Sequence, residues 1–169
     1  MENSDKKLVV AILGVGAIGR GVATALGRDP RLQLRLFDPI TAKVEFNSPK
    51  DASEAADVVI ICVVNEQQVE EVLFDGDCGV VAATGKPPVV MSCATVSPKF
   101  AVQVGRRLAE KNILYIDAPV SGGPGRATEG TLTVMASGPE AAFEAAQIPL
   151  ETMASKVVKV RHLLSKARE

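Results

Sequence analysis

The chain has 169 residues, of which 19 are basic and 20 are acidic, so its formal net charge is −1. This length predicts one domain that buries roughly 70% of the surface that its unfolded chain exposes. Because no excess of basic residues could track a phosphate backbone, nucleic acid is not an expected partner.

Membrane insertion and secretion are also not expected. The longest uninterrupted apolar run, residues 58–64, is much shorter than the roughly 20 residues that cross a bilayer. The polar residues 1–7, MENSDKK, predict a disordered tail rather than a secretory signal, so we expect a cytoplasmic protein. Cys62, Cys78 and Cys93 are odd in number and lack close spacing, which indicates neither a metal site nor a disulfide.

The first predicted element is a strand that runs from Leu8 into the sequence LGVGAIG. Three glycines follow with the spacing Gly-x-Gly-x-x-Gly, and an amphipathic helix begins among them. Gly14 allows a tight turn, Gly16 lets the backbone approach a pyrophosphate, and Gly19 lets the helix pack closely. The phosphates of a dinucleotide would then lie at the helix N-terminus.

A second strand is predicted over residues 32–37, and it ends at Asp38, about twenty residues beyond the glycines. A carboxylate there could accept hydrogen bonds from the adenosine ribose and would repel a 2′-phosphate. No basic residue follows until Lys43, so the sequence favours NAD over NADP as the cofactor. Alternatively, Asp38 and Pro39 simply begin a turn.

Strands and helices continue to alternate along the rest of the chain. Strands are predicted over 57–64, 89–93, 113–117, 131–137 and 156–160, and helices over 67–74, 98–111, 139–146 and near Leu150. This order predicts an α/β fold, a Rossmann-like doubly wound domain over 8–160 with a mostly parallel sheet and helices on both faces. A charged C-terminal tail, 161–169, follows it.

Ligands of such sheets bind beyond the carboxyl ends of the strands. Asn65 follows the third predicted strand and could reach a cofactor ribose or could cap a helix. Thr95 follows the fourth and could contact the nicotinamide end of a cofactor or be an ordinary turn hydroxyl. Residues 117–132 read DAPVSGGPGRATEGTL, in which the amides of Gly122 and Gly123 could hold a carboxylate. The same composition also describes a mobile surface loop without a ligand.

Three motifs occur in the order LGVGAIG, SCATVSP and DAPVSGGPGRATEGTL. Together they resemble the β-hydroxyacid dehydrogenase family, which has the NAD(P)-binding domain of 3-hydroxyisobutyrate and 6-phosphogluconate dehydrogenases. The segments CVVNEQQVEEVLF and TVMASG are most similar to its L-threonate dehydrogenase group. The resemblance spans nearly residues 8–160.

The resemblance implies an NAD(P)-binding domain of an oxidoreductase that moves a hydride between a nicotinamide and a small 3-hydroxy acid, such as L-threonate, 3-hydroxyisobutyrate or glycerate. It also implies which residues serve the two ligands. The cofactor residues are Gly14, Gly16, Ala17, Ile18, Gly19, Asp38, Val64, Asn65 and Thr95, and the substrate residues are Ser121, Gly122 and Gly123.

The family's catalytic lysine has no counterpart in this chain, since its position would fall beyond Glu169 and Lys166 lacks the glycines that precede it. We therefore expect impaired turnover and assign no catalytic residue. His162 lies in the charged tail and Arg126 is expected to face solvent, so neither enters the site. The alternative function is a non-catalytic dinucleotide-binding module. The family's helical second domain is also missing, and apolar surface left uncovered would favour a homo-oligomer.

Overall fold

The computed structural model describes residues 6–41, 45–85 and 88–160. The strands are β1 (Leu8–Leu13), β2 (Leu32–Phe37), β3 (Val58–Ile61), β4 (Val89–Ser92), β5 (Leu114–Asp117), β6 (Val120–Ser121), β7 (Leu132–Ala136) and β8 (Ala154–Lys159). The helices are α1 (Ala17–Leu26), α2 (Pro49–Ser53), α3 (Glu66–Phe74), α4 (Pro98–Ala109), α5 (Gly123–Glu129), α6 (Glu140–Ala145) and α7 (Gln147–Met153). A short 3₁₀ helix spans Val80–Ala82.

The first five strands form one parallel sheet in the order β2-β1-β3-β4-β5. Their register aligns the carboxyl ends, with Leu13 beside both Phe37 and Ile61. Parallel strands need crossover connections, and the helices that provide them cover the sheet. The predicted Rossmann-like α/β fold with a mostly parallel sheet is therefore confirmed.

The helices cover both faces of this sheet. On one face, Val10 and Ile12 of β1 pack with residues of α1, α5, α6 and α7 in one apolar cluster. On the other face, Ala11 and Leu13 pack with residues of α2, α3 and α4. Every side chain of β3 is fully buried, which explains its uninterrupted apolar sequence VVII.

A smaller three-stranded sheet, in the order β6-β7-β8, extends the structure beyond β5. β6 pairs antiparallel with β7, and β8 pairs parallel with it. Asp117 at the end of β5 exchanges two backbone hydrogen bonds with Ser137, of 2.8 and 2.9 Å. This antiparallel bridge joins the two sheets.

Two sequence predictions are corrected by the structure. The strand predicted over 57–64 ends at Ile61, because Gln68 of α3 accepts a hydrogen bond from the Val64 amide and draws the chain out of the sheet. The segment 117–132, for which a mobile surface loop was one alternative, contains β6 and α5. Its glycines have low helix propensity, and packing against α1 overrides that local preference.

Several predictions fall wholly or partly outside the described residues. The C-terminal tail with His162 and Lys166 lies outside them, as does Lys43. Of the N-terminal tail, only Lys6 and Lys7 are described. Among the helices that are described, none has both the length and the apolar character needed to cross a membrane.

Candidate functional site

The order of the parallel sheet creates a crevice at the carboxyl ends of β1 and β3. The chain passes from β1 to β2 on one side and then returns to β3 on the other side of β1. Such a switch point is where open α/β sheets bind ligands. Residues 14–19, here called the glycine loop, follow β1, and Asn65 follows β3. Two of the sequence-predicted groups therefore meet at this crevice.

The three glycines of the loop are constrained in different ways. Gly14 has a φ of +91°, and a Cβ on it would lie 2.9 Å from the backbone of Cys62. A Cβ on Gly19 would lie only 1.9 Å from the carbonyl oxygen of Gly14. At Gly16, by contrast, a Cβ would meet nothing within 4 Å. Gly14 and Gly19 are thus required by the fold, whereas the space beside Gly16 is open.

Helix α1 begins directly at this open space. Gly16 is its N-cap, and no side chain of the described residues caps the first-turn amides. The first turn also carries no acidic residue. Backbone N–H groups of Ala17 and Ile18 therefore remain free to donate to an anion at the positive end of the helix dipole.

Asp38 connects the end of β2 to the glycine loop. One carboxylate oxygen accepts a hydrogen bond of 2.7 Å from the Val15 amide, and the other accepts bonds of 2.8 and 3.0 Å from Ile40 and Thr41. Burial raises the pKa of Asp38, but these backbone hydrogen bonds lower it by more, so the net pKa lies below its ordinary value. The carboxylate is ionised at neutral pH and also shapes the turn that the sequence suggested as the alternative.

The described surroundings of Asp38 offer no obvious cation for a 2′-phosphate. Arg35, three residues earlier, donates a hydrogen bond to the carbonyl oxygen of Glu54. Its guanidinium also lies 5.7 Å from the centre of the Phe46 ring. Arg35 is therefore engaged away from the carboxylate.

Asn65 caps helix α3 while facing the crevice between β1 and β3. Its side-chain oxygen accepts a 2.9 Å hydrogen bond from the Gln68 amide, as the capping alternative expected. Gln68 in turn accepts a 2.8 Å bond from the Val64 amide. The segment is thus held by hydrogen bonds from both directions. Among the described residues, the side-chain amide N–H groups of Asn65 donate no hydrogen bond that would compete with a ligand.

Thr95 lies in the exposed connection between β4 and α4. Glu66 of α3 holds this connection by accepting a 2.8 Å hydrogen bond from the Ser97 amide. That bond lowers the pKa of Glu66. Sequence reasoning missed Glu66, because nothing local shows that an acidic residue in the first turn of one helix reaches the loop before another.

The Ser121 to Gly123 segment approaches the glycine loop through the packing of two helices. A Cβ on Gly21 of α1 would lie 2.6 Å from the Cβ of Ala127, and one on Gly130 would lie 3.6 Å from that of Ala25. The first contact involves the earlier residue of both pairs and the second the later residue, so both chain segments run in the same direction. The helices are therefore parallel, and their N-termini, at Ala17 and Gly123, lie at the same edge of the structure.

The backbone of this second segment is open to a ligand at one glycine and covered at the other. Gly122 has a φ of +137° and Gly123 a φ of +73°, conformations that favour glycine. A Cβ on Gly123 would meet nothing within 4 Å, whereas one on Gly122 would lie 2.8 Å from Cδ of Arg126. Arg126 is itself exposed, as expected.

Asp117 is a half-buried acidic residue that sequence reasoning did not select. It ends β5, four residues before Ser121, and its Oδ1 is buried without a hydrogen-bond partner among the described residues. Burial raises the pKa of this carboxyl from 3.8 to about 6. Its position in the DAPVSGG motif was visible, but its partial burial depends on tertiary packing that the sequence does not show.

Two apolar side chains lie exposed beside the crevice. Ile40 is 92% exposed and Val64 is 80% exposed, more than any other large apolar residue that the structure describes. They follow β2 and β3, which flank β1 in the sheet. Exposed apolar surface at the rim of a polar crevice is typical of a ligand site.

Comparisons with known proteins match most of the chain. The family model for the NAD binding domain of 6-phosphogluconate dehydrogenase matches residues 9–161. An L-threonate dehydrogenase of Cupriavidus necator is 41% identical over 161 residues, which cover 89% of this chain and 53% of that protein. A NAD-dependent L-serine dehydrogenase of Pseudomonas aeruginosa is 33% identical over 157 residues, covering 88% of this chain and 52% of that protein.

A solved structure agrees with these sequence matches. The crystal structure of a 3-hydroxyisobutyrate dehydrogenase from Salmonella typhimurium superposes with a TM-score of 0.84 at 33% identity. The match covers 92% of this chain and 57% of that protein. The chain thus spans about half the length of the relatives that it matches.

Proposed function

The chain belongs to the family of the NAD binding domain of 6-phosphogluconate dehydrogenase, and from this membership we propose that it binds NAD in the crevice between β1 and β3. It would serve as the cofactor half of a β-hydroxyacid dehydrogenase. The residues proposed to hold the cofactor are Gly14, Gly16, Ala17, Ile18, Gly19, Asp38, Val64, Asn65 and Thr95.

The observation that carries this proposal is the combination of free helix amides and open space at Gly16. The first-turn amides of α1 have no side-chain cap, and a Cβ on Gly16 would meet nothing within 4 Å. An anion can therefore approach these amides without displacing any atom of the described chain. A pyrophosphate has the charge and the size for this position.

The adenosine end of the cofactor is proposed to lie against Asp38 and the exposed apolar rim. The ionised carboxylate accepts three backbone hydrogen bonds, two on one oxygen and one on the other. The oxygen that accepts only the Val15 amide can accept a further hydrogen bond. A ribose hydroxyl can donate there, whereas a 2′-phosphate would be repelled. Ile40 and Val64 would cover the two sides of the adenine ring. This arrangement favours NAD over NADP, as does the NAD-dependent relative.

The nicotinamide end is proposed to lie toward Asn65 and Thr95. The hydrogen bond from Ser97 to Glu66 ties these two segments together, so they would move as one unit around the ring. NAD, when bound, would supply an electrophilic ring able to accept a hydride from a hydroxyl carbon. The chain's own residues would position that ring and exclude water from one side of it.

Ser121, Gly122 and Gly123 are proposed to hold the carboxylate of a small hydroxy acid. The Ser121 hydroxyl and the backbone amides of the two glycines can donate hydrogen bonds. The parallel packing of α1 and α5 supports this role, because it brings this segment and the glycine loop to one edge. L-threonate, 3-hydroxyisobutyrate and glycerate are the candidate substrates.

The test is a fluorescence titration of the folded chain with NADH, using wild type, Gly16→Ala and Gly27→Ala. An alanine at position 16 fits the extended backbone there, with a φ of −73°, but its methyl group occupies the proposed pyrophosphate space. We expect NADH affinity to fall by about tenfold or more, equivalent to about 1.4 kcal/mol, with the melting temperature unchanged.

Gly27→Ala is the matched control, because Gly27 lies at the opposite end of α1 in a helical conformation. Its added methyl group should leave NADH affinity at the wild-type value. Absence of NADH binding by the folded wild-type chain would refute the proposal. Equal affinity in wild type and Gly16→Ala would show that the dinucleotide binds elsewhere.

Cofactor choice is tested by comparing NADH and NADPH on wild type and Asp38→Asn. The wild type should bind NADH more tightly. Removing the charge should reduce this preference by about tenfold, since a hydrogen bond to a charged group contributes about 1.5 kcal/mol. A wild type that prefers NADPH would contradict the role given to Asp38 but not the fold.

Turnover is tested separately with NAD and each candidate hydroxy acid. Binding of NADH without turnover by this chain would favour the second candidate function, a non-catalytic dinucleotide-binding module. NAD-dependent oxidation of any of these acids by the pure chain would exclude that module.

A further inference from the structure

Cys62 and Cys93 lie side by side at the carboxyl ends of β3 and β4. The two strands are parallel neighbours, with Ile61 in register with Ser92, and each cysteine directly follows one of these residues. The hydrogen bonding between the strands reaches Cys93, whose amide donates a 2.8 Å hydrogen bond to the Ile61 carbonyl. Both cysteines pack into the same apolar cluster, so their side chains project from the same face of the sheet.

The two thiols are in contact but differ in their environment. The neighbouring Cys62 side chain and burial together raise the pKa of the Cys93 thiol well above its ordinary value. Cys93 is buried, whereas Cys62 is only half-buried. Cys62 is therefore the member of the pair that a small oxidant in solution reaches first.

Cys62 also supports the glycine loop directly. A Cβ on Gly14 would lie 2.9 Å from the carbonyl carbon and oxygen of Cys62, and one on Gly19 would lie 3.1 Å from the Cys62 Cβ. The loop thus rests on this residue at two of its three glycines. Val64 and Asn65 follow two and three residues later. Cys62 is therefore in contact with the glycine loop on one side of the crevice and connected along the chain to Val64 and Asn65 on the other.

We propose that Cys62 and Cys93 form a reversible disulfide that weakens dinucleotide binding, which makes this pair an oxidation site that regulates the crevice. The affinity part of this proposal rests on the proposed function. The odd number and wide spacing of the cysteines predicted no disulfide, because the sequence does not show which strands are neighbours.

The geometry of parallel strands explains why closing the bond would disturb the crevice. Neighbouring strands lie about 4.7–4.9 Å apart, while the Cβ atoms of a disulfide are separated by about 3.8 Å on average. Closure must therefore draw the two Cβ atoms together by about 1 Å. Cys62 would move toward Cys93 and away from the glycines that it supports.

The oxidation requires an external two-electron oxidant, for which hydrogen peroxide serves. The Cys62 thiolate attacks one peroxide oxygen, the O–O bond breaks, and the Cys62 sulfur becomes a sulfenic acid while the released hydroxide takes up a proton as water. The Cys93 sulfur then attacks the Cys62 sulfur. The S–O bond breaks, and the departing hydroxide takes the Cys93 proton as a second water. Two thiols and one peroxide thus yield one disulfide and two waters.

The experiment oxidises the full chain with hydrogen peroxide and measures two quantities separately. Non-reducing peptide mapping with mass spectrometry should show a Cys62–Cys93 linkage and a loss of about two mass units, for the two hydrogens removed. NADH titration of the same sample should show an affinity lower by about fivefold or more, equivalent to about 1 kcal/mol. Dithiothreitol should restore both values.

Two variants serve as controls. Cys93→Ala should keep the reduced wild-type affinity for NADH. Under peroxide its Cys62 can form a sulfenic acid but no bond to β4, so its affinity should fall less than that of the wild type. Cys78→Ser removes the exposed cysteine and should respond as the wild type does, which excludes an effect of intermolecular bonding.

Three results would overturn the proposal: no Cys62–Cys93 linkage in the oxidised chain, a linkage with unchanged NADH affinity, or an equal loss of affinity in Cys93→Ala. A reduced chain that binds no NADH would instead refute the proposed function. Peptide mapping distinguishes that failure from failure of the disulfide itself.

Discussion

Asp117→Asn is expected to stabilise the protein above pH 6 and to change its stability little below pH 4. Asp117 lies half-buried at the end of β5, and its Oδ1 has no hydrogen-bond partner among the residues described. Burial raises its pKa from 3.8 to about 6. The native state therefore holds this proton more tightly than the unfolded chain does.

The sign of the effect follows from this difference in proton binding. Between pH 3.8 and about 6, the native state binds more protons at Asp117, so this residue's contribution to the free energy of unfolding falls as the pH rises. Below pH 3.8 the carboxyl is neutral in both states. Above pH 6 it is charged in both states, and the destabilisation remains constant.

The magnitude follows from the size of the pKa difference. About 1.4 kcal/mol per pKa unit would give about 3 kcal/mol for a rise from 3.8 to about 6. The carboxyl keeps partial contact with solvent, and screening reduces this value by roughly half. We expect Asp117→Asn to be more stable than wild type by about 1–1.5 kcal/mol at pH 8.

Urea denaturation followed by circular dichroism, from pH 3.5 to pH 8, measures this difference. Comparing the variant with wild type cancels the contributions of the other carboxylates. Asp77→Asn is the matched control, because Asp77 is exposed, and its curve should run parallel to that of wild type. The reasoning is refuted if the Asp117→Asn curve also runs parallel to wild type, or if the variant is less stable at pH 8.

Two further predictions concern how α5 and the Thr95 loop are held. Gly21→Ala would place a methyl group 2.6 Å from the Cβ of Ala127, so we expect the free energy of unfolding to fall by about 1–3 kcal/mol in a urea titration. Gly125→Ala, on α5 with nothing within 4 Å of its added Cβ, should not destabilise, and equal losses in both variants would contradict the packing argument. Glu66→Ala removes the acceptor of the Ser97 amide hydrogen bond and should weaken NADH binding about fivefold. A hydrogen bond to a charged group contributes about 1.5 kcal/mol, and only part of this free energy is expected to affect ligand binding. Glu66→Gln keeps an acceptor oxygen and should bind more tightly than Glu66→Ala; identical affinities in the two variants would show that the bond does not position the loop.

Much of the fold was predictable because its signals are local. The apolar run before the first glycine, the apolar sequence VVII of β3, and Ser97 followed by Pro98 at the start of α4 each report their own element. Alternation of these elements implied a parallel sheet with helices on both faces. Helix α5 was missed for the same reason, because Gly122, Gly123 and Gly125 argue locally against a helix.

The candidate site was only partly predictable. The roles of Gly14 and Gly19 follow from spacing, and the structure shows the close contacts that forbid a Cβ at each. Asp38 was selected from its distance to the glycines, but its three backbone hydrogen bonds were not foreseen. Glu66 and Asp117 were missed, since the first acts on a distant loop and the second depends on burial.

The sequence alone determined the fold class, the glycine loop, the acidic residue at the end of β2 and the family resemblance, because each depends on residue type and on spacing over a few tens of residues. Only the tertiary structure decided which strand ends meet. It placed Cys62 beside Cys93, brought α5 beside α1, and joined Asp117 to Ser137 through a backbone bridge. These contacts join residues from separate elements, and such proximity arises only when the strands have found their order in the sheet and the helices have packed on its faces.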